Sequence, residues 1–495
     1  MAVWTIVKMD DGAKPYTAES RLLIARLPPR AQGRYMSSPD QVLILDPHNE
    51  YGVLFVESIF RRFGLPSVCL CTNRRKRLTQ HELLHRLPSE WVVASYDVDG
   101  VPAEHLIAHL RAHHRIAAVL PFDELSVLPA IELASRLGLN WPQPEIMRRF
   151  RDKYALKQHL RSIAPQLRIN ASHLVRGCHE VFALRKQVPY RRFILKPNDG
   201  YGNQHIGLFA FDSSEAQIRA YFRRVKGRGI LMEEYIGGTE YFVNGQTDAA
   251  GNVFVVAVFE YLRGTVNGRH NIDLETTQVR HGTQLFDTIT SYAEKILHAA
   301  RLTRSPFHLE LKVDEHGPCL IEVAARLAGH GNGLLCGELH GPQLDVIDWA
   351  AHYYLGTRDY GAPPLDWSRY NSQATRYVHG IALKRERLYE LDGIAEVEAL
   401  PEFYGWVQKP VVGMRVARTV DCLSMPWSLI LTAPTLSQTA TAAGRVRHLI
   451  GLNNRIGHAK RAALWLRLAM LKGPVRLRQA LTTAPLRKLL SRLSV

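Results

Sequence analysis

What the chain lacks narrows the reading first. No run approaches the roughly eighteen apolar residues of a membrane-crossing helix. The stretch Met1 to Asp10 has neither the basic-then-apolar order nor the small-residue cleavage site of a secretory signal, so a cytoplasmic location is expected. The six cysteines, Cys69, Cys71, Cys178, Cys319, Cys336 and Cys422, show no paired spacing of a zinc site or disulfide framework. Cys69 and Cys71 sit in an apolar segment and read as strand residues. No G-x-G-x-x-G follows the first apolar strand, which argues against a dinucleotide turn, and there is no internal repeat. Acidic residues stop at Asp421, and the twelve Lys and Arg from Cys422 to Val495 supply most of the formal +17 charge.

What remains has the composition of a soluble globular enzyme, 46% hydrophobic and 22% charged, and 495 residues call for several packed lobes. Residues 41–140 alternate short apolar runs (QVLILD, SVCLCT, RIAAVLPF) with amphipathic stretches, the pattern of a small open parallel sheet with helices on its faces. Pro142 and Pro144 mark a break. A helix is expected through PEIMRRFRDKYALKQHLRSI, then a second lobe with strand FILKP, turn NDGYGNQHIG, strand LFAF, a helix over about 213–225 with Asp212 and Glu215 as a capping box, and strand ILMEEYI. VFVVAVFEY reads as a buried strand and residues 263–282 as a long polar loop, which at that length signals a substrate lid or local disorder. The expected divisions are a 1–38 extension, an α/β domain over 39–142, a main domain over 143–370 with a small lobe at about 185–237, a subdomain over 371–435, and a basic, helical tail over 436–495.

The most informative segment is FHLELKVDEHGPCLIEV, two alternating strands about a five-residue turn, Asp314 to Pro318. Pairing symmetric about His316 sets Glu310 opposite Glu322. Like charges directly opposed on a sheet destabilise it, so a hard divalent cation is expected between them, sharing its shell with phosphates; a solvated face with a bulge separating the pair is the structural alternative. Lys196 lies at the mouth of a turn containing Gly200 and Gly202, where backbone N-H groups can cradle phosphate oxygens. In EEYIGGTE, Glu233 and Glu240 flank a Gly-Gly turn. Backbone beside apolar side chains there suits an adenine edge, and a carboxylate can accept from ribose hydroxyls.

Taken in order, these segments resemble the ATP-grasp superfamily over about residues 40–340. The resemblance implies an ATP-grasp fold behind a Rossmann-like pre-ATP-grasp domain, with Lys153 in RDKYALKQHL and Lys196 in FILKPNDGYG as the nucleotide lysines. It makes Glu233, Glu234, Tyr235 and Ile236 the adenine hinge and Glu240 the ribose carboxylate. Glu310 and Glu322 become the Mg²⁺ carboxylates, with Mn²⁺ as an alternative ion, and Arg326 the arginine that holds the acyl-phosphate or tetrahedral oxyanion. Ala324 departs from the family by standing where a metal-site asparagine is usual. IEVAARLAG with HLEL before it is most similar to the L-amino acid ligase branch.

The activity so implied is ADP-forming ligation of a small carboxylic or amino acid to an amine through an acyl-phosphate. His308, which would share the face of Glu310, and Arg263 and Arg280 are the substrate candidates. The tail segment KRAALWLRLAMLKGPVRLRQAL is a basic amphipathic pattern that fits an anionic membrane surface, an acidic partner such as a carrier protein, or packing on the body. Ligation to a carrier-bound acceptor and a degenerate body that binds membrane or nucleic acid are the alternatives. No nucleic acid partner is expected, because aromatic residues are not interleaved with the basic ones. A homodimer is compatible with the sequence.

Overall fold

The computed structural model describes residues 40–452 except 49, 74–75, 140–143, 226–228, 330–338, 342–343, 345 and 356–361. The expected 1–38 extension, Cys336 and the tail beyond residue 452 lie outside the described residues; the part of the tail inside them begins with the helix Leu436–Leu449. No helix among the described residues is long and apolar enough to cross a membrane. Two compact units emerge. Of the described residues, 40–201, His205–Glu260 and Gln278–Ser372 make the first, and Gly202–Gln204, Tyr261–Thr277 and 373–452 the second.

The first unit opens with a four-stranded parallel sheet in the order Val92–Asp97, Ser67–Cys71, Gln41–Leu45, Ile116–Pro121. After Gln41 the run VLIL is continuously apolar because both faces are covered. Val42 and Ile44 pack with Phe55 and Ile59 of helix Glu50–Phe63 and with Ile347 and Ala350 of helix Val346–Leu355. Leu43 and Leu45 pack on the other face with Leu106, Leu110, Ala130 and Leu133. Each such leucine or isoleucine, fully buried, contributes about 1.5–3 kcal/mol, which fixes this sheet as a rigid platform.

Next comes a four-stranded antiparallel sheet in the order Ser172–Val175, Ile230–Glu234, Arg192–Pro197, Gly207–Ala210. Strands Gly317–Ala324, Ser305–Asp314 and Thr239–Thr247 lie side by side in the other sheet of this unit, and residues 253–260 of strand Val253–Val266 continue it beyond Thr239–Thr247. The second unit pairs Arg269–Gln278 with Ala374–His379, which pairs in turn with Ser428–Ala433 and that with Phe403–Gln408.

Four local expectations are corrected. The helix expected from Pro144 onward is two, Pro144–Arg151 and Lys153–Ile163, because Asp152 caps the second by accepting from Ala155 N at 2.8 Å. The helix after the small-lobe hairpin, Glu215–Arg224, is closed by a capping box of Ser214 and Gln217, not of Asp212 and Glu215. Residues 263–282 are no loop: strands Val253–Val266 and Arg269–Gln278 run through most of them, and Asn267 (φ 54°) and Gly268 (φ 73°) make the left-handed turn between. Finally, the hairpin strands reach Asp314 and resume at Gly317, which shortens the five-residue turn to Glu315 and His316.

Candidate active site

Strand Ser305–Asp314 is the spine of the site. Its alternate residues His308, Glu310 and Lys312 share one face, and the neighbouring strands extend them into rows. Asn244, His308 and Ala324 form one, Phe242, Glu310 and Glu322 the next, and Glu240 stands beside Lys312 in the third. The expected opposition of Glu310 and Glu322 is present. It arises differently from the symmetric reading, since pairing from the tight turn runs Leu311 to Leu320 and then skips Ile321 before joining Glu310 to Glu322. The bulge that seemed able to separate the carboxylates is what aligns them.

Cations gather on this pair. Lys153 Nζ lies 3.5 Å and Lys196 Nζ 4.0 Å from Glu322 Oε2. Lys153 starts its helix beside the capping residue Asp152, and its Nζ also donates to Gly200 O at 2.6 Å, which ties the lysine to the glycine turn. Asn198 secures that turn by donating to Asp152 Oδ1 at 2.9 Å while accepting from Tyr154 N at 2.9 Å. Gly202 has φ 65°, and a side chain there would be strained in its backbone and crowded against Cys422 Sγ at 3.2 Å, which favours glycine.

Lys196 is buried in strand Arg192–Pro197, where its Nζ pairs with Glu233 Oε2 at 2.8 Å. The other Glu233 oxygen is taken by Lys157, itself fully buried and donating to Asn170 Oδ1 at 2.8 Å. Burial alone would push Glu233 up, but the Lys157 and Lys196 ammoniums outweigh it and hold the carboxyl at about 2. One carboxylate thus serves two ammoniums. Burial lowers Lys157 to about 8 because its share of Glu233 does not compensate, whereas for Lys196 the pull of Glu233 and Glu322 overcomes burial and raises it. The Glu233 side chain is therefore a clamp on two lysines, and only its backbone remains for a hinge role.

The rest of the expected hinge lies alongside. Glu234 O accepts from Asn170 Nδ2 at 3.0 Å. The Tyr235 ring is covered by Arg192 at 4.0 Å and by Lys312 Nζ at 4.9 Å, and Lys312 Nζ donates to Ile236 O at 3.2 Å with Glu240 Oε2 at 3.9 Å. The Lys312 ammonium thus joins the Tyr235–Ile236 segment to the Glu240 carboxylate.

Arg326 follows the carboxylate strand, with its Nε 2.5 Å from Glu124 Oε2 and its Nη1 donating to Leu327 O at 2.9 Å. Glu124 also takes Arg151 Nη1 at 2.5 Å. Burial would raise Glu124, yet the Arg326 and Arg151 guanidiniums hold it at about 2. His308 stands between Asn244 Oδ1, 2.7 Å from Nδ1, and Glu310 Oε1, 3.2 Å from Nε2. Of the other substrate candidates, Arg263 belongs to the second unit with its guanidinium 3.8 Å over the Tyr261 ring. Arg280 is in the first, where its carbonyl accepts from Thr283 Oγ1 at 2.9 Å. Among the described residues no three His, Cys, Asp or Glu side chains group around one metal position, so a hard cation at the Glu310–Glu322 pair would complete its shell from phosphate oxygens, as Mg²⁺ ordinarily does. The donor set fits that ion.

Lys157, Glu124, Asn170, Asn244 and Lys312 escaped sequence reasoning. Lys157 carried a usable signal: with Lys153, Leu156 and Leu160 it falls on the inward i, i+3, i+4, i+7 stripe of its helix, where a charge needs a buried partner. Glu124 lies just past the carboxyl end of a parallel strand, a frequent ligand-facing position.

Residues 191–333 match the model of the ATP-grasp domain. Over 158 residues the chain is 26% identical to dapdiamide A synthase of Enterobacter agglomerans, a stretch that is 30% of this chain and 36% of that relative, so only about a third of the relative's length is spanned. The L-amino acid ligase of Bacillus licheniformis superposes with a TM-score of 0.67 at 14% identity, covering 84% of this chain and 99% of that one. The biotin carboxylase domain of the Hydrogenobacter thermophilus 2-oxoglutarate carboxylase, solved with MgADP and bicarbonate, superposes with a TM-score of 0.60 at 15% identity over 84% of this chain and 91% of that one. Residues 191–333 are an ATP-grasp domain, and the chain around them has the ATP-grasp fold.

Proposed function

We propose that the chain is an ATP- and Mg²⁺-dependent, ADP-forming ligase that joins a small carboxylic or amino acid to an amine through an acyl-phosphate. The observation that carries this reading is the convergence of Lys153 and Lys196 on Glu322, itself opposed to Glu310. Two fixed ammoniums next to two carboxylates suit a polyphosphate and its counterion. The amino acid class is favoured by the two relatives named as dapdiamide A synthase and L-amino acid ligase.

In this reading Lys153 and Lys196 neutralise the α- and β-phosphates, and the backbone from Glu233 to Ile236 receives adenine with Glu240 at the ribose. Glu310 and Glu322 would hold the cation, which would supply positive charge to the phosphate chain. The substrate carboxylate attacks the γ-phosphorus, ADP leaves, and the amine then displaces phosphate from the acyl-phosphate. Negative charge builds in both steps, so cations fixed in place beforehand do most of the catalytic work. Arg326, steadied by Glu124, holds the acyl-phosphate or the oxyanion that follows it with a planar fork suited to either.

The test is phosphate release from ATP and Mg²⁺ with amino acids offered singly and in pairs, comparing the wild type with Glu310→Ala and Glu322→Gln. Release that needs a pair and vanishes in both variants is expected. Nucleotide binding without release for any free pair would redirect the search to a carrier-bound acceptor, and failure to bind ATP would overturn the reading.

A further inference from the structure

The rows of the sheet run in one direction along strand Ser305–Asp314. Glu240 and Lys312 stand at the expected adenosine end, Glu310 and Glu322 at the phosphates, Asn244 and His308 one row further, and Gln246 beside Pro306 beyond them. Each row is a step of about 7 Å, and Asn244 and Gln246 share a face by strand alternation. Gln246 is 3% exposed. Its amide is oriented by what it faces, because Nε2 donates at 2.9 Å to Val346 O, a carbonyl that only accepts. The other amide atom, Oε1, is therefore an acceptor, and it is buried with no partner among the described residues. An acceptor left so is costly.

Gln246 and Asn244 line a pocket of the first unit whose apolar walls include Val256, Phe307, Leu327 and Val346. Leu327 directly follows Arg326 in the chain. Gly245 lets the Phe307 wall lie close, since a Cβ there would fall 2.5 Å from its ring. The pocket measures about 10 Å³, room for one water-sized group. No ionisable side chain lines it, so an ammonium would be buried there without a counter-charge, whereas a neutral donor would satisfy Oε1 at much lower cost.

We propose that this pocket receives the far end of the acid substrate's side chain, that this end is a hydroxyl or a carboxamide, and that Gln246 Oε1 selects it by accepting its hydrogen bond. The inference rests on the ligase reading and names the class of acid that it takes. An acid whose carboxylate faces the γ-phosphorus extends its side chain along the rows past Glu310, toward Asn244 and Gln246. An acid of the same shape that ends in a methyl group leaves Oε1 unpaired, and a site built to hydrogen-bond a substrate discriminates strongly against the analogue that lacks the donor.

The experiment uses the full chain with ATP, Mg²⁺ and hydroxylamine as the common amine, so that only the acid varies and the products are its hydroxamate, ADP and phosphate. Acids are offered in pairs of like shape: threonine against valine, asparagine against leucine, and glutamine against methionine. In at least one pair the donor-bearing acid should lead by about ten-fold or more in kcat/KM. That comparison requires no variant. In Gln246→Met the lead should vanish while the KM for ATP is kept, and Gln246→Glu should shift preference toward 2,4-diaminobutyrate, whose ammonium then gains a counter-charge. Hydroxamate formed without a donor preference, or a preference that survives in Gln246→Met, overturns the proposal and leaves the ligase reading intact. Absence of hydroxamate and of phosphate release with every acid overturns both.

Discussion

Glu310 stands opposite Glu322 because the hairpin register skips Ile321. The two-residue turn would otherwise set Ile321 against Glu310, with the carboxylates out of step. This alignment predicts that stabilisation by nucleotide depends on both acids. With MgADP at one hundred times its dissociation constant, the wild type should gain about 2.7 kcal/mol, visible as a rise in melting temperature. Glu310→Gln and Glu322→Gln should lose most of that gain, and Glu315→Gln, at the exposed turn of the same hairpin, should keep it.

Glu233 and Glu240 flank the same turn but should fail in different ways. Glu233 is the buried counterion of Lys157 and Lys196, and breaking such a set costs about 3–5 kcal/mol. Glu233→Gln should therefore lower the urea midpoint strongly. Glu240→Gln leaves Lys157 and Lys196 their shared carboxylate and loosens only the longer 3.9 Å pairing with Lys312, so it should lower the midpoint less than Glu233→Gln does while raising the KM for ATP. Equal effects on stability would remove the distinction between clamp and ribose ligand.

Lys157 makes stability depend on alkaline pH. Its folded value, about 8, is below the ordinary lysine value because burial outweighs its share of Glu233. The unfolded chain thus binds the proton more tightly, and this group's cost to stability is fully present below pH 8 and is relieved as pH rises toward the ordinary lysine value. Relative to Lys157→Met, the wild type should gain stability between pH 7.5 and pH 10, measured as the difference of urea midpoints. A constant difference would contradict the assignment.

Elements whose own residues determined them were legible in the sequence. The parallel strands read correctly because burial on both faces leaves uninterrupted apolar runs such as VLIL. The hairpin acids were placed together because a pairing symmetric about His316 gives the same partner for Glu310 as the tighter turn with its one-residue bulge at Ile321 does. Partnerships between distant segments stayed hidden. Nothing local to Glu124 names Arg326, and nothing local to Glu233 names Lys157. The polar composition of residues 263–282 also concealed a hairpin, although Asn267-Gly268 is a strong two-residue turn signal.

That turn is testable within the second unit. Asn267 holds φ 54° and donates from Nδ2 to Ala382 O at 2.9 Å and to Thr419 O at 2.8 Å. Asn267→Ala loses both bonds and keeps the left-handed backbone, at a cost of about 2–3 kcal/mol. Hydrogen exchange should quicken across strand Arg269–Gln278 and around Thr419. Unchanged protection there would mean that the side chain does not brace the turn.

The last expectation concerns a residue outside the matched ATP-grasp stretch. Glu124 holds Arg326 Nε and Arg151 Nη1 with its two oxygens, and Arg151 Nη2 also donates to Asp199 O at 3.1 Å. Glu124→Gln preserves volume but removes the charge that both guanidiniums face. Arg326 would then be free to shift, and a misplacement of about 1 Å at a reacting centre costs roughly a hundred-fold in rate. The expected result is a 10- to 100-fold fall in kcat with a smaller change in the KM for ATP, because Lys153 feels the Glu124 charge only at a distance and keeps its bond to Gly200 O, and Lys196 keeps Glu233. A rise in KM without a fall in kcat would place Glu124 with the nucleotide, and Arg326 would no longer be the group that meets the charge of the acyl transfer.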